Sequence, residues 1–220
     1  MTTETTYTFN ELSDKAKERA LQDWQFDWDL FDSECLIDDA KREGVERGFD
    51  IEDVRWSGFY TQGDGASWQG RIKIGTFIDY HLKEDNPDHH RYIVLRELIR
   101  DDWAYPDATV YYSGTWYTNS AHMKVEYYEA TDFSETRSDA VITDPESVLC
   151  GASVRELANG ISMSHLLDNL AEWMQDKARS YADEIYSTLR KEYDHYISAE
   201  NFAEIAEIND WRFDEDGKMI

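Results

Sequence analysis

A chain of 220 residues with 41% hydrophobic and 14% aromatic side chains can fill a core, which excludes both a disulfide-stapled scaffold and a disordered chain. Asp and Glu number 47 against 22 Lys and Arg, a net charge of −25, spread along the sequence and densest at its two ends. Such a surface repels phosphates and anionic membranes, so it rules against a simple DNA- or RNA-binding module and suits a basic protein partner.

The predicted elements follow in chain order. Tyr7-Thr8-Phe9 fits a short strand, and Asn10 or Ser13 caps a first helix. Leu12, Ala16, Ala20, Trp24, Trp28 and Phe31 recur on that helix at three- and four-residue spacing, with Asp23 and Asp27 on its wet side. A second helix covers about 32–47 and stops at Gly48. The segment Trp56–Gly70, WSGFYTQGDGASWQG, fits two strands joined by a glycine-rich turn at Gly63-Asp64-Gly65. The return strand is expected to run on to Tyr80 through alternating Ile72, Ile74, Thr76 and Ile78. Asn86-Pro87 breaks the chain, and a third helix is expected over about 88–102. A second hairpin pairs 108–118 with 122–129 about a turn at Asn119-Ser120. Residues 131–147 form a polar excursion and the best candidate for a mobile loop.

A stripe of Leu166, Leu170, Trp173, Ala178, Tyr181, Ile185, Leu189, Tyr193 and Tyr196 marks one long helix over 162–197. At about 1.5 Å per residue it spans roughly 50 Å. Ser198 caps a last helix to Ile208, and Trp211–Phe213 fits a closing strand. The expected fold is α+β: one domain over 1–220, with an antiparallel sheet of about four strands in two hairpins, faced by helices.

Candidate chemistry is sparse. The GDGAS turn is not followed by GKS or GKT, does not join a strand to a helix, and does not fit GxSxG, so phosphate-loop, dinucleotide and nucleophile-elbow chemistry are all excluded. It is a local turn around Asp64, or a recognition surface in which Tyr60, Gln62, Asp64, Ser67 and Trp68 gather polar and aromatic groups. His81, Asp85, Asp88, His89 and His90 fit a solvated polar segment better than a metal site, and no metal or cofactor is expected. Cys35 and Cys150 show no framework spacing and are expected as reduced core residues. Trp24, Trp28 and Trp173 lie on helical stripes and are expected to pack. The N-terminus lacks the basic and apolar regions of a signal peptide and no apolar run reaches membrane-spanning length, so a cytoplasmic protein is expected.

The stretch SGFYTQGDGASWQG (57–70) resembles the signature of a family of tailed-phage and prophage proteins, some labelled "antitoxin of toxin-antitoxin stability system". The resemblance extends to YTFNELSDKAKERAL (7–21), to YYSGTWYTNSAHMKVEYY (111–128) and to YDHYISAENFAEIAEINDWRFDEDGK (193–218). It implies a phage setting and carries over no catalytic residue.

Charge and resemblance together lead to the expectation of a non-enzymatic protein that binds and inhibits a basic, nucleic-acid-handling host protein. Asp23, Asp27, Asp176, Asp183 and Glu184 would stand in for phosphates, and Tyr60 or Trp68 would anchor the contact. Two alternatives stay open: a small-ligand or nucleotide site on the 57–70 hairpin, and neutralisation of a toxin by direct contact. The acidity also fits plain solubility or adaptation to high salt.

Overall fold

The computed structural model describes residues 5–25, 31–85, 107–113, 118–127 and 163–220. They belong to two compact units: a sheet unit, Ile37–Tyr186, and a terminal unit built from both chain ends, Met1–Leu36 with Ser187–Ile220.

The sheet unit is a four-stranded antiparallel meander in the order β1 (Phe49–Trp56), β2 (Ala66–Lys73), β3 (Asp107–Tyr112), β4 (Met123–Tyr127). Phe49 lies opposite Ile72, which lies opposite Ala108, while Ile51, Gly70, Val110 and Val125 form the next row. Pleat alternation therefore puts one apolar face on a common side. Glu52 has no partner on β2, so the register shifts between Ile51 and Asp53.

The long helix α4 (Met163–Tyr196) supplies that face with Leu170, Met174, Ala178, Tyr181, Ala182 and Ile185, all buried. Trp68 is 1% exposed, and its indole Nε1 donates to the Ala178 carbonyl at 3.0 Å. Phe49 meets Trp68, Phe77 and Tyr181 at ring-centroid distances of 5.2, 5.9 and 5.4 Å. The expected helix over 162–197 thus forms within a residue at each end, and Met174 and Ala182 join its buried stripe.

The extension of β2 to Tyr80 is corrected. The ladder ends at Lys73, and Ile74–Asp85 forms a helix, α3. Ile72, Ile74 and Ile78 fit alternation, but a strand would turn Phe77 to the opposite face from Ile74 and Ile78. A helix gathers Ile74, Phe77, Ile78 and His81 at i, i+3, i+4 and i+7, and all four are buried. Burying one more phenylalanine contributes about 1.5–3 kcal/mol, enough to decide between two locally possible periods. Gly48, at φ +86°, ends α2 (Glu34–Glu46), and a Cβ there would lie 2.5 Å from the Phe77 backbone nitrogen. Only glycine allows that approach between the end of α2 and the start of α3.

The terminal unit closes on itself by a bridge between Tyr7 and Phe213, with backbone N–H to O distances of 2.9 Å in both directions. The expected strands at 7–9 and 211–213 are therefore reduced to single bridges, because Phe9–Glu11 coils into a 3-10 turn. The Thr8 backbone N–H and hydroxyl both donate to the Glu11 carboxylate at 2.8 and 2.9 Å, which lowers its pKa. Ser13 accepts from the Ala16 N–H at the start of α1 (Asp14–Gln25), and Ser198 accepts from the Asn201 N–H at the start of α5 (Ala199–Ile208). Trp24 Nε1 donates to the Tyr196 carbonyl and Gln25 Nε2 to the Ile197 carbonyl, satisfying acceptors at the end of α4. Phe9, Phe202 and Phe213 form the aromatic centre. Gly217, at φ +86°, brings the C-terminal turn against α1, where a Cβ would meet the Ala16 carbonyl oxygen at 2.1 Å.

Cys35 is a free, exposed thiol on the outer side of α2, which corrects its expected place in the core. The expected helix over 88–102, the 131–147 excursion, Cys150, His89, His90, Trp28 and Asp27 lie outside the described residues.

Candidate functional site

The 57–65 loop between β1 and β2 is longer than a tight turn, since β1 ends at Trp56 and β2 begins at Ala66. Gly63 takes φ +99°, and Gly65 does not adopt the positive φ expected of it. The Asp64 carboxylate accepts from the Thr61 backbone N–H at 2.6 Å and the Thr61 hydroxyl at 2.7 Å. These bonds stabilise the ionised form and hold the Asp64 carboxyl below the ordinary aspartate range. Ser57 and Gly65 exchange two further bonds across the loop base, Tyr186 donates to the Gly58 carbonyl, and Asn119 donates to the Gly63 carbonyl. Phe59 is buried and stacks on Trp56 at 5.1 Å.

The five hairpin residues expected to form a site do not converge. Tyr60 is 63% exposed and Gln62 is exposed, whereas Ser67 and Trp68 are each 1% exposed on β2. Trp68 is a core residue with its indole satisfied inside the sheet unit, so it is unavailable as a surface anchor. The Ser67 hydroxyl is buried with no hydrogen-bond partner among the described residues, and Asp64 spends its acceptors on its own loop.

The acidic candidates divide as well. Asp176 is exposed on α4, but Asp183 accepts from the Ser120 hydroxyl at 2.6 Å and Glu184 pairs with Arg47 at 2.6 Å. Arg47 also lies 4.5 Å over the Tyr181 ring, in a polar cleft of about 270 Å³ walled by Tyr80, His81 and Lys177. Burial is the largest single influence on Arg47 and opposes its charge, but the Glu184 hydrogen bond, the Glu184 charge and the nearby Tyr181 and Tyr80 phenols together outweigh it, so its pKa is raised. Burial also pushes the Tyr181 phenol up to about 12, and its hydroxyl donates to the Ala40 carbonyl at 2.6 Å. Arg47, Tyr181 and Glu184 thus hold one another and the α2 backbone.

The terminal unit carries a different kind of cleft, of about 410 Å³. Its walls are Trp24, Phe202, Ile205, Trp211, Phe213 and Met219, with the exposed Asp23 beside them. Trp24 and Trp211 are half-buried, with ring centroids 5.6 Å apart. Met219 is 47% exposed, and Ile208 and Ile220 are 74% and 64% exposed in the same C-terminal segment. Helical spacing correctly places Trp24 on the apolar stripe of α1, yet spacing is silent on whether neighbours close over a tryptophan. The cleft was not among the expected sites; its sequence signal is the run of apolar residues at 208, 211, 213, 219 and 220 within an acidic segment.

α5 carries Glu200, Glu204 and Glu207, all exposed, and no basic residue. None of the three forms an ion pair among the described residues. Across the whole terminal unit, 18 acidic side chains face 7 basic ones. Among the described residues no group of three or more His, Cys, Asp or Glu is arranged to hold a metal ion, and no helix is long and apolar enough to cross a membrane.

No curated protein and no solved structure matches the chain. Residues 33–199, which take in the whole sheet unit and none of the residues lining the terminal cleft, match the family described as Domain of unknown function (DUF8835), and the chain belongs to that family.

Proposed function

We propose that this protein is a phage-encoded, non-enzymatic inhibitor that captures a basic, nucleic-acid-handling host protein through its acidic surface. The observation that carries the reading is the acid on the terminal unit, above all Glu200, Glu204 and Glu207, which form no ion pair among the described residues. Like charges held close on one helix cost stability, and a basic partner relieves that cost. The alternative of a ligand or catalytic site on the 57–70 hairpin loses support, because Asp64 holds its own loop and Ser67 and Trp68 are buried.

The same geometry sets the strength of any phosphate mimicry. Glu200 to Glu207 spans about 10 Å of helix axis. A DNA duplex presents about six phosphates over that length, twice the charge of these three carboxylates. Capture should therefore depend on salt, but less steeply than the partner's own binding to DNA.

The test is retention of bacterial proteins from a lysate on the tagged full-length chain, eluted in a salt gradient and compared with E200Q/E204Q/E207Q. The expected result is a nucleic-acid-binding protein held at low salt, released well below about 1 M, where screening falls within about 3 Å, and lost with the triple variant. Retention that ignores both salt and the substitutions would overturn the reading.

A further inference from the structure

We infer that the cleft of the terminal unit is a docking site for one apolar side chain, aromatic or long aliphatic, carried on a lysine- and arginine-rich segment of the partner. The inference rests on the acidic-surface reading and names what that surface seizes.

Three observations converge. First, the cleft is walled by aromatic and aliphatic groups and stands open, with Trp24 and Trp211 half-buried and Met219 about half-exposed at its edge. At about 410 Å³ it falls at the small end of ligand pockets, which run from about 300 to 1,000 Å³, so it suits a side chain better than a large cofactor. Second, among the described residues five large hydrophobic side chains are exposed, and three of them, Ile208, Met219 and Ile220, lie in this C-terminal segment. Of these Met219 lines the cleft itself, and exposed apolar surface at a cleft edged by polar groups marks an interaction site.

Third, the charge around the cleft selects the occupant. Residues 199–220 carry seven acids against Arg212 and Lys218, and Arg212 is already bonded to Asp210 at 2.5 Å. Asp23 adds a carboxylate at the cleft itself. A second copy of this chain, also at −25, would meet this rim with like charge, whereas a basic segment would meet it with opposite charge. The apolar side chain then supplies a desolvated anchor, the surrounding carboxylates set approach and orientation, and Trp24 and Trp211 offer ring faces to a neighbouring Lys or Arg.

The test uses the full-length protein and three synthetic peptides of equal length: Lys/Arg-rich with one central Phe, the same with Gly in its place, and an Asp/Glu-rich one with the central Phe. Binding is followed by calorimetry and by tryptophan fluorescence. The basic Phe peptide is expected to bind at least about tenfold more tightly than either control. Met219→Trp, which fills the mouth, and Asp23→Lys, which reverses the adjacent charge, should each weaken it by about tenfold with the circular dichroism unchanged. Both positions are exposed, so the two variants test the site without cutting into the core.

Equal binding of the Gly peptide would overturn the pocket and leave the acidic surface as the whole interaction. Equal binding of the acidic Phe peptide would overturn the charge selection. Failure of all three peptides, with salt-sensitive capture of a protein still present, would overturn this inference alone. Loss of that capture as well would bring down the reading beneath it. A concentration-dependent dimer that blocks the peptide would assign the cleft to a second copy and also overturn the proposal.

Discussion

Each unit sets one tryptophan in a contrasting place, Trp68 inside a closed core and Trp24 on the wall of an open cleft, although Trp56 and Trp173 of the sheet unit are half-buried too. In the sheet unit Trp68, Phe49 and Phe77 are at most 1% exposed, and the Trp68 indole is satisfied by a carbonyl of α4. In the terminal unit Phe202 and Phe213 are just as buried, but Trp24 and Trp211 stay half-covered around an open cleft. Acid is also denser in the terminal unit, which carries 18 acids and 7 bases in its two short segments, against 29 and 15 in the much longer sheet unit. A completed core makes a scaffold. An open cleft with Asp23 at its wall is the surface that we propose a partner completes.

The sharpest way to break this comparison is to truncate one tryptophan from each unit. Trp68→Ala should cost about 3–5 kcal/mol, read as a large drop in the urea midpoint, since it opens a closed core and removes the indole hydrogen bond to the Ala178 carbonyl. Trp24→Ala should cost clearly less in stability while lowering affinity for a basic Phe peptide. Equal destabilisation by the two would mean that the terminal cleft is as much core as the sheet.

Two glycines give a matched pair of smaller perturbations. Gly48→Ala and Gly217→Ala each force a left-handed backbone on a residue with a Cβ, which costs about 1–3 kcal/mol before any clash is counted. The clashes differ: Gly48 meets the Phe77 backbone nitrogen and Gly217 the Ala16 carbonyl. Hydrogen exchange should therefore rise in α2 and α3 for Gly48→Ala, and in α1 and the C-terminal turn for Gly217→Ala. Only the second should weaken peptide binding.

Asp64→Ala should lower stability by about 1 kcal/mol and leave partner capture unchanged, because the carboxylate serves its own loop. With a lowered folded-state pKa, its contribution is complete above about pH 4 and is lost as pH falls through the folded value. Thermal midpoints of wild type and Asp64→Ala should accordingly converge in acid. The smallest effect is spectroscopic. Tyr181 is raised to about 12, so its neutral form adds stability that is complete below the ordinary tyrosine value near 10 and is lost as pH rises through about 12. Absorbance titration of Tyr181→Phe should lack a phenol that ionises near 12 in the wild type.

Much of this fold was legible in the residues, and the failures share one cause. The α4 stripe, the caps at Ser13 and Ser198, the stop at Gly48 and both hairpins follow from period and local hydrogen-bond chemistry. The expected strand through Ile74 and Ile78 failed because both periods fit the isoleucines, and the choice fell to Phe77, whose burial depends on tertiary neighbours. The scatter of the five hairpin residues has a similar cause. Trp68 and Tyr60 look alike as aromatic residues near a turn, yet one is 1% and the other 63% exposed. Acid on a helix face likewise does not reveal which carboxylates find partners: Asp183 and Glu184 do, at Ser120 and Arg47, while Glu200, Glu204 and Glu207 form no ion pair among the described residues.

The most direct test of the central claim is parallel capture from one bacterial lysate by the wild-type chain and by E200Q/E204Q/E207Q, each washed at low salt and at about 1 M. The account predicts a basic, nucleic-acid-binding protein retained by the wild type at low salt only, and absent from the variant. The same proteins held by both chains at both salts, or none held by either, would contradict it.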